Sequence, residues 1–130
     1  MKTIKFRAWD SYQNKMYEWD EICKMDSDES LTLTNLLNGF IDHIKPLQFT
    51  GLKDKNGVEI YEGDIIELKN GDEISRSFIV YWDTSAGFHF NSYMLDGLIN
   101  DLYGASKIGE VVGNIYEHNH LLIYENPELL

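Results

Sequence analysis

The chain has 130 residues, with 22 acidic against 11 basic side chains and a formal net charge of −11. Its length is that of one domain, and its hydrophobic fraction of 43% and aromatic fraction of 13% exclude a disordered chain. The negative charge disfavours binding to nucleic acid or to anionic membrane surfaces, because both depend on Lys and Arg contacts with phosphate.

The sequence predicts neither export nor a membrane span. The charged residues at the N-terminus are followed by Trp9 and Asp10 instead of an apolar stretch, and no apolar run reaches the roughly 18 residues of a span. The lone Cys23 cannot form an intramolecular disulfide, and we expect it to be a small buried or half-buried residue. We therefore predict a cytoplasmic protein.

Strand periodicity flanks a polar segment near the N-terminus. Residues 2–9 alternate in part between apolar and polar, and a second strand is predicted from Lys15 to Trp19. The connection over residues 10–14 has the length and chemistry of a hairpin loop, so we predict an antiparallel pair. Residues 26–30, acidic and without apolar side chains, are expected to form an exposed loop.

A helical period follows. Apolar residues between Leu33 and Ile44 recur at the spacing of a helix that packs on a core. Thr32 is a candidate N-cap, and Pro46 disfavours helical geometry at the residue before it. The stripe consists of Leu33, Leu36, Leu37, Phe40, Ile41 and Ile44.

Beyond Pro46 the chain is typical of β structure. Asn56-Gly57 and Asn70-Gly71 each favour a type I′ hairpin turn, in which both central residues take positive φ. The apolar strands at residues 65–68 and 77–82 are predicted to pair across the second turn. Residues 85–87 are expected to turn the chain into another extended segment, 88–90.

The last third of the chain predicts a short helix over residues 94–102 and a strand over residues 111–116. Gly109 and Gly113 indicate a bulge or a close backbone approach in that strand. The predicted fold class is therefore mainly β (α+β), with a curved antiparallel sheet or a partly open SH3-like barrel and one or two short helices.

A phrase of the form Ile-Tyr-Glu-x-x-x-Leu-Leu occurs twice at the C-terminus, at residues 115–122 and 123–130. Eight residues are too few for a solenoid repeat, which needs roughly 20 or more. We interpret the phrase as a local tandem duplication that leaves one copy dispensable.

Four segments of the chain form a recognisable set: Phe6-Arg7-Ala8-Trp9-Asp10, residues 48–66, Gly113-Asn114-Ile115-Tyr116-Glu117 and residues 124–130. The phrases at residues 50–57 and 60–64 are long and specific. Together the four segments resemble the YopX family of bacteriophage and prophage proteins, and the resemblance runs from end to end.

The resemblance implies one YopX-like domain over residues 1–130, a β-rich fold, and a phage or prophage origin within a bacterial host cell. It supplies no catalytic residues to carry over, because the family has no assigned activity. The chain departs from the family pattern at residues 118–125, which separate two phrases that usually adjoin. This departure fits the duplication.

Three groups of residues are candidates for chemistry, and each has a simpler structural interpretation. His118 and His120 are candidate metal ligands, but exposed tail histidines are the favoured interpretation. Glu62 and Asp64 are a carboxylate pair, although Gly63-Asp64 is more typical of a turn that opens a strand, with Asp64 accepting backbone N–H bonds.

The glycines at 51 and 57 lack the Gly-Lys-Ser/Thr ending of a phosphate loop, so we interpret this segment as a hairpin turn. Lys53 and Lys55 form at most a small basic spot there. The aromatic residues Tyr81, Trp82, Phe88 and Phe90 are candidates to line a groove, with core packing favoured.

We therefore predict no catalytic residues, no metal site, no cofactor and no enzymatic activity. The favoured function is a small acidic, noncatalytic binding or accessory protein with an unknown protein partner and an open sheet edge that could support homo-oligomers. One alternative is an acidic decoy that occupies a nucleic-acid-binding host protein. The lowest-ranked alternative is a metal-dependent hydrolase that uses His118 or His120.

Overall fold

The structure is a computed structural model that describes residues 4–25, 42–70, 73–83, 89–94, 99–100 and 102–118. The chain divides into two compact units, Met1–Phe49 and Thr50–Leu130. The strands are β1 (Phe6–Asp10), β2 (Lys15–Tyr17), β3 (Ile44–Lys53), β4 (Glu59–Tyr61), β5 (Asp64–Asn70), β6 (Glu73–Asp83), β7 (His89–Met94), β8 (Ile99–Asn100) and β9 (Glu110–Asn114), and the helices are α1 (Trp19–Met25) and α2 (Leu102–Ile108).

The first unit confirms the predicted N-terminal hairpin. β1 pairs with β2 and with the first half of β3, both antiparallel, so that Trp9 lies opposite Met16 on one side and Lys45 on the other. The loop is closed by the Asp10 carboxylate, whose Oδ1 accepts the N–H groups of Tyr12 at 2.9 Å and Gln13 at 3.1 Å. This is the side-chain capping that makes Asp a frequent turn residue.

A short helix covers the apolar side of this sheet. α1 begins directly after β2, where the Glu18 N–H donates to Glu21 Oε1 at 3.3 Å, as in a capping box. Ile22 packs with Ala8 and Ile44, and Tyr17 and Trp19 complete the cluster. Cys23 lies on α1 but is exposed, so the expectation that it is buried or half-buried was wrong; one position along the helix separates it from the inward face that Ile22 occupies.

The second unit contains a curled antiparallel sheet in the form of a half-barrel, with strand order β8-β7-β6-β5-β9. β5 and β6 pair across residues 71–72, which confirms the predicted pairing of these strands. The register between β5 and β9 shifts at Ile65 and Ile66, which confirms the bulge expected in the last strand. Ile60 of β4 and Leu102 of α2 form a core cluster with Ile66 and Val80 of this sheet, and Leu52 and Val111 pack against it.

These strands and short helices confirm the mainly β fold with a curved antiparallel sheet. The helix predicted over residues 94–102 was wrong in position: Met94 ends β7, Ile99 pairs with Tyr93 in the sheet, and the helix begins at Leu102. The predicted helix over residues 33–44 falls outside the described residues except at its end, where Ile44 begins β3. The predicted loop at 26–30 and turn at 85–87 also lie outside them.

Within the residues that the structure describes, the helices are too short and too polar to cross a bilayer.

Candidate functional site

The segment from Gly51 to Val58 folds into the end of β3 and a tight loop. The Asp54 N–H donates to the Val58 carbonyl at 2.8 Å and the Gly57 N–H to the Asp54 carbonyl at 3.0 Å. Gly57 has φ of +84°, whereas Asn56 does not have positive φ. The predicted hairpin is confirmed, but a type I′ turn was wrong: the loop is a three-residue turn that closes through one left-handed glycine.

The Asp54 carboxylate holds this loop together. Its Oδ1 accepts the N–H groups of Asn56 at 2.8 Å and Val58 at 2.9 Å, and its Oδ2 accepts the N–H of Val111 in β9 at 2.8 Å. The side chain is buried, with 6% exposure. A carboxylate that accepts three backbone N–H groups stabilises the loop, which explains why an acidic residue stands between two lysines.

Two further hydrogen bonds attach the loop to the chain that follows α2. The Lys55 N–H donates to the Gly109 carbonyl at 3.1 Å, and Asn56 Nδ2 donates to Glu110 Oε2 at 3.4 Å. With the Asp54–Val111 bond, these contacts fix the loop beside the C-terminal end of α2. The segment of residues 51–58, here called the hairpin arm, and α2 thus form two neighbouring walls that are linked by these hydrogen bonds.

A cleft of about 500 Å³ lies between these walls. Lys53 and Lys55 are exposed on the hairpin arm, and Lys107 is exposed on α2, with its Nζ 5.0 Å from the centre of the Tyr103 ring. The Tyr103 side chain is 56% exposed. The lining consists of Gly51, Leu52, Lys53, Asp54, Lys55, Tyr103, Ser106 and Lys107. Because three lysines stand against the one carboxylate of Asp54, the charged residues of the lining are positive in sum, in a chain whose net charge is −11.

The Glu62-Gly63-Asp64 segment is structural, as predicted. Gly63 has φ of +88°, and the Tyr61 N–H donates to Asp64 Oδ2 at 2.8 Å. Asp64 is 1% exposed. Gly63 also donates its N–H to Val80 and accepts the Ile115 N–H, so this turn ties strands together.

His118 is part of a turn and not an exposed tail residue, so that expectation was wrong for this histidine. Its Nδ1 accepts the Asn114 N–H at 3.1 Å, and its own N–H donates to the Asn114 carbonyl at 2.9 Å. The ring packs on Gly113, where a β-carbon would lie 2.6 Å from His118 Nδ1. His120 lies outside the described residues, and among those described no three His, Cys, Asp or Glu side chains are grouped as metal ligands.

The predicted aromatic group is described only in part. Tyr81 is half-buried and Trp82 is 37% exposed on β6. Trp82 lies opposite Phe90 in the β6–β7 register, while Phe88 falls outside the described residues. Whether these residues line a groove stays a prediction.

Comparison with known proteins identifies the family of this chain. The sequence pattern of the YopX protein family matches residues 5–122. The chain belongs to the YopX protein family. The solved structure of protein EF1440 from Enterococcus faecalis is similar to this chain, with a TM-score of 0.61 and 26% sequence identity over 94% of this chain and 99% of that one. No curated protein matches the sequence.

The YopX match includes both walls of the cleft, since it covers the hairpin arm and α2. It ends at Leu122, the last residue of the first copy of the repeated phrase, so the second copy lies beyond the part that matches the YopX pattern. Residues 119–130 lie outside the described part of the chain, and the interpretation as a duplication stays a prediction.

The sequence predicted two of the four lysine and tyrosine side chains that line the cleft. It identified Lys53 and Lys55 as a small basic spot but missed Tyr103 and Lys107, because it placed the helix over residues 94–102. With the helix at Leu102–Ile108, the spacing of four residues between Tyr103 and Lys107 puts both side chains on one helical face. That spacing is the signal that could have found them.

Proposed function

We propose that this YopX protein is a noncatalytic, phage- or prophage-encoded binding or accessory protein that contacts a protein partner through the cleft between the hairpin arm and α2. The observation that carries the proposal is that the side chains of residues 50–57 have two different roles. Its polar groups, above all Asp54, hold the backbone, whereas Lys53 and Lys55 extend into solvent beside Tyr103 and Lys107. A rigid loop that displays side chains on its exposed face is typical of a recognition surface.

The neighbouring candidates for chemistry support a binding role over catalysis. Asp64 and His118 each accept a backbone N–H, which supports a structural role for both side chains. Their hydrogen bonds stabilise turns around the sheet.

The proposal is tested by affinity capture of the tagged protein from bacterial cells that carry the phage. Wild type is compared with the double variant Lys53→Gln/Lys107→Gln and with the control Lys24→Gln, which removes an exposed positive charge from α1. We expect a partner that wild type and the control retain in equal amounts and the double variant loses. Identical captured proteins for all three would contradict a role for the cleft.

A phage or prophage origin has its own test, because it predicts phage genes on both sides of the coding sequence in the source genome. A coding sequence surrounded only by host metabolic genes would contradict it.

A further inference from the structure

We propose that the cleft takes a short acidic segment of a protein partner, one that carries two or more carboxylates next to an apolar side chain. The proposal deepens the binding function above and rests on it. Three lysines line the cleft on two walls: Lys53 and Lys55 on the hairpin arm, and Lys107 on α2. Both lysines of the arm are exposed, whereas the Asp54 between them is buried.

These ammonium groups are available for an external anion. Among the described residues, no carboxylate forms an ion pair with Lys53, Lys55 or Lys107, and Lys107 instead rests on the Tyr103 ring at 5.0 Å. Elsewhere in the described chain, Lys15 and Lys69 are each paired with a glutamate at 3.3 Å. The cleft lining thus has more lysines than carboxylates, in a protein that has twice as many acidic as basic residues.

The cleft also offers apolar surface. Leu52 is half-buried at its base, and the Tyr103 ring is 56% exposed on its wall. An aromatic ring with an adjacent ammonium suits a ligand that combines an apolar and an anionic group. We therefore expect a leucine-like or aromatic side chain of the ligand to lie against Tyr103 while its carboxylates meet the lysines.

The shape of the cleft favours a segment of a larger molecule over a free metabolite. Its lysines and Tyr103 are all exposed, whereas small-molecule sites enclose most of the ligand surface. A segment that protrudes from a partner obtains further contacts outside the cleft. This shape therefore selects a protein ligand.

The overall charge disfavours nucleic acid as that ligand. A net charge of −11 repels a long polyanion, whose binding requires many cationic contacts along the strand. A segment with only a few carboxylates interacts mainly with the local lysines, because salt screens charges beyond about 8 Å at physiological ionic strength. The local positive charge of the cleft is thus suited to binding a short acidic segment, even though the protein as a whole is acidic.

The test is a titration of the ¹⁵N-labelled full chain, followed by NMR, with the acetylated and amidated peptide Glu-Asp-Leu-Glu-Asp-Leu-Glu. The neutral peptide Gln-Asn-Leu-Gln-Asn-Leu-Gln and a single-stranded DNA decamer serve as competing probes. We expect the acidic peptide to shift amide resonances of residues 51–55 and 103–107 and to bind more weakly as salt is raised. Lys53→Gln and Lys107→Gln should each weaken binding about two- to five-fold, and together roughly tenfold.

The control Lys24→Gln should leave the affinity for the acidic peptide unchanged, and the NMR spectrum of each variant without peptide verifies that the fold is retained. Equal binding of the neutral peptide, or tighter binding of the DNA, would overturn the acidic-segment proposal. Failure of every probe to shift the cleft resonances would overturn it too. In each of these cases the capture experiment above decides separately whether the cleft binds a partner. Failure of the acidic-segment proposal can therefore be distinguished from failure of the proposed binding function.

Discussion

Replacing Asp54 with Asn should loosen the hairpin loop that forms one wall of the cleft. The Asn carbonyl oxygen can still accept the N–H groups of residues 56 and 58 in the place of Oδ1. Its amide nitrogen then occupies the place of Oδ2 and presents hydrogens to the Val111 N–H, which is a donor facing a donor. The contact between the loop and β9 is therefore lost in a nearly isosteric substitution.

The size of the effect follows from burial and charge. Asp54 is 6% exposed, so the Val111 N–H gains little compensation from water. A hydrogen bond to a charged acceptor contributes about 1.5–3 kcal/mol, and a buried unpaired donor costs about 1–3 kcal/mol. We expect the free energy of unfolding to fall by about 2–4 kcal/mol, a large fraction of the roughly 5–15 kcal/mol of a typical domain.

Urea unfolding followed by tryptophan fluorescence measures this loss as a lower midpoint with an unchanged slope. Amide hydrogen exchange at Val111 provides a local readout and should accelerate in the Asp54→Asn variant. Asp42→Asn is the matched control, because it removes the same charge from an exposed position and should shift the stability by less than about 0.5 kcal/mol. A stability of Asp54→Asn within 0.5 kcal/mol of wild type, with Val111 exchange unchanged, would refute the assigned role of Asp54.

Gly63→Ala should lower the free energy of unfolding by about 2 kcal/mol or more, because φ is +88° and the new methyl would lie 2.8 Å from a tyrosine ring carbon; an unchanged urea midpoint would contradict this. Gly113→Ala should also destabilise, since its methyl would lie 2.6 Å from His118 Nδ1. The cost of Gly113→Ala should be smaller in a His118→Ala background, and additive losses in that double-mutant cycle would show that no clash exists. The pKa of the Glu21 carboxyl should be lower than that of an ordinary glutamate, through the hydrogen bond from the Glu18 N–H and then through Lys15. Its small contribution to stability is thus present at neutral pH and is lost as the pH falls through that lowered pKa; NMR titration measures the pKa, which Lys15→Met should raise.

Local patterns were sufficient to predict the hairpins. Strand alternation and the turn residues Asp10, Gly57 and Gly63 act over a few neighbouring positions, so their signals are complete within short stretches of sequence. The turn at Asn56-Gly57 shows the limit of such a signal. The dipeptide is compatible with type I′ geometry, but the Asp54 side chain stabilises a different loop by accepting two N–H groups within it.

The cleft could be predicted only in part, because its walls are joined by contacts distant in sequence. The Asp54–Val111 hydrogen bond spans 57 positions, and no periodicity reports such a contact. The apolar residues between 94 and 102 fitted a helix, yet Ile99 pairs with Tyr93 in the sheet and α2 begins only at Leu102. Pairing of Ile99 in the sheet overrode the local helical pattern. Because the helix was predicted too early in the chain, Tyr103 and Lys107 were not recognised as residues of the cleft.

The most direct test of the central claim, that the cleft binds a protein partner, is site-specific photo-crosslinking in cells of the source strain that express the protein. A photoreactive phenylalanine analogue is introduced at Tyr103, on the cleft wall, and at Tyr12, which is 77% exposed on the N-terminal hairpin. We predict a discrete crosslinked partner from position 103 that is absent from position 12 and is reduced by Lys53→Gln. Identical products from both positions, or none from position 103, would contradict the claim.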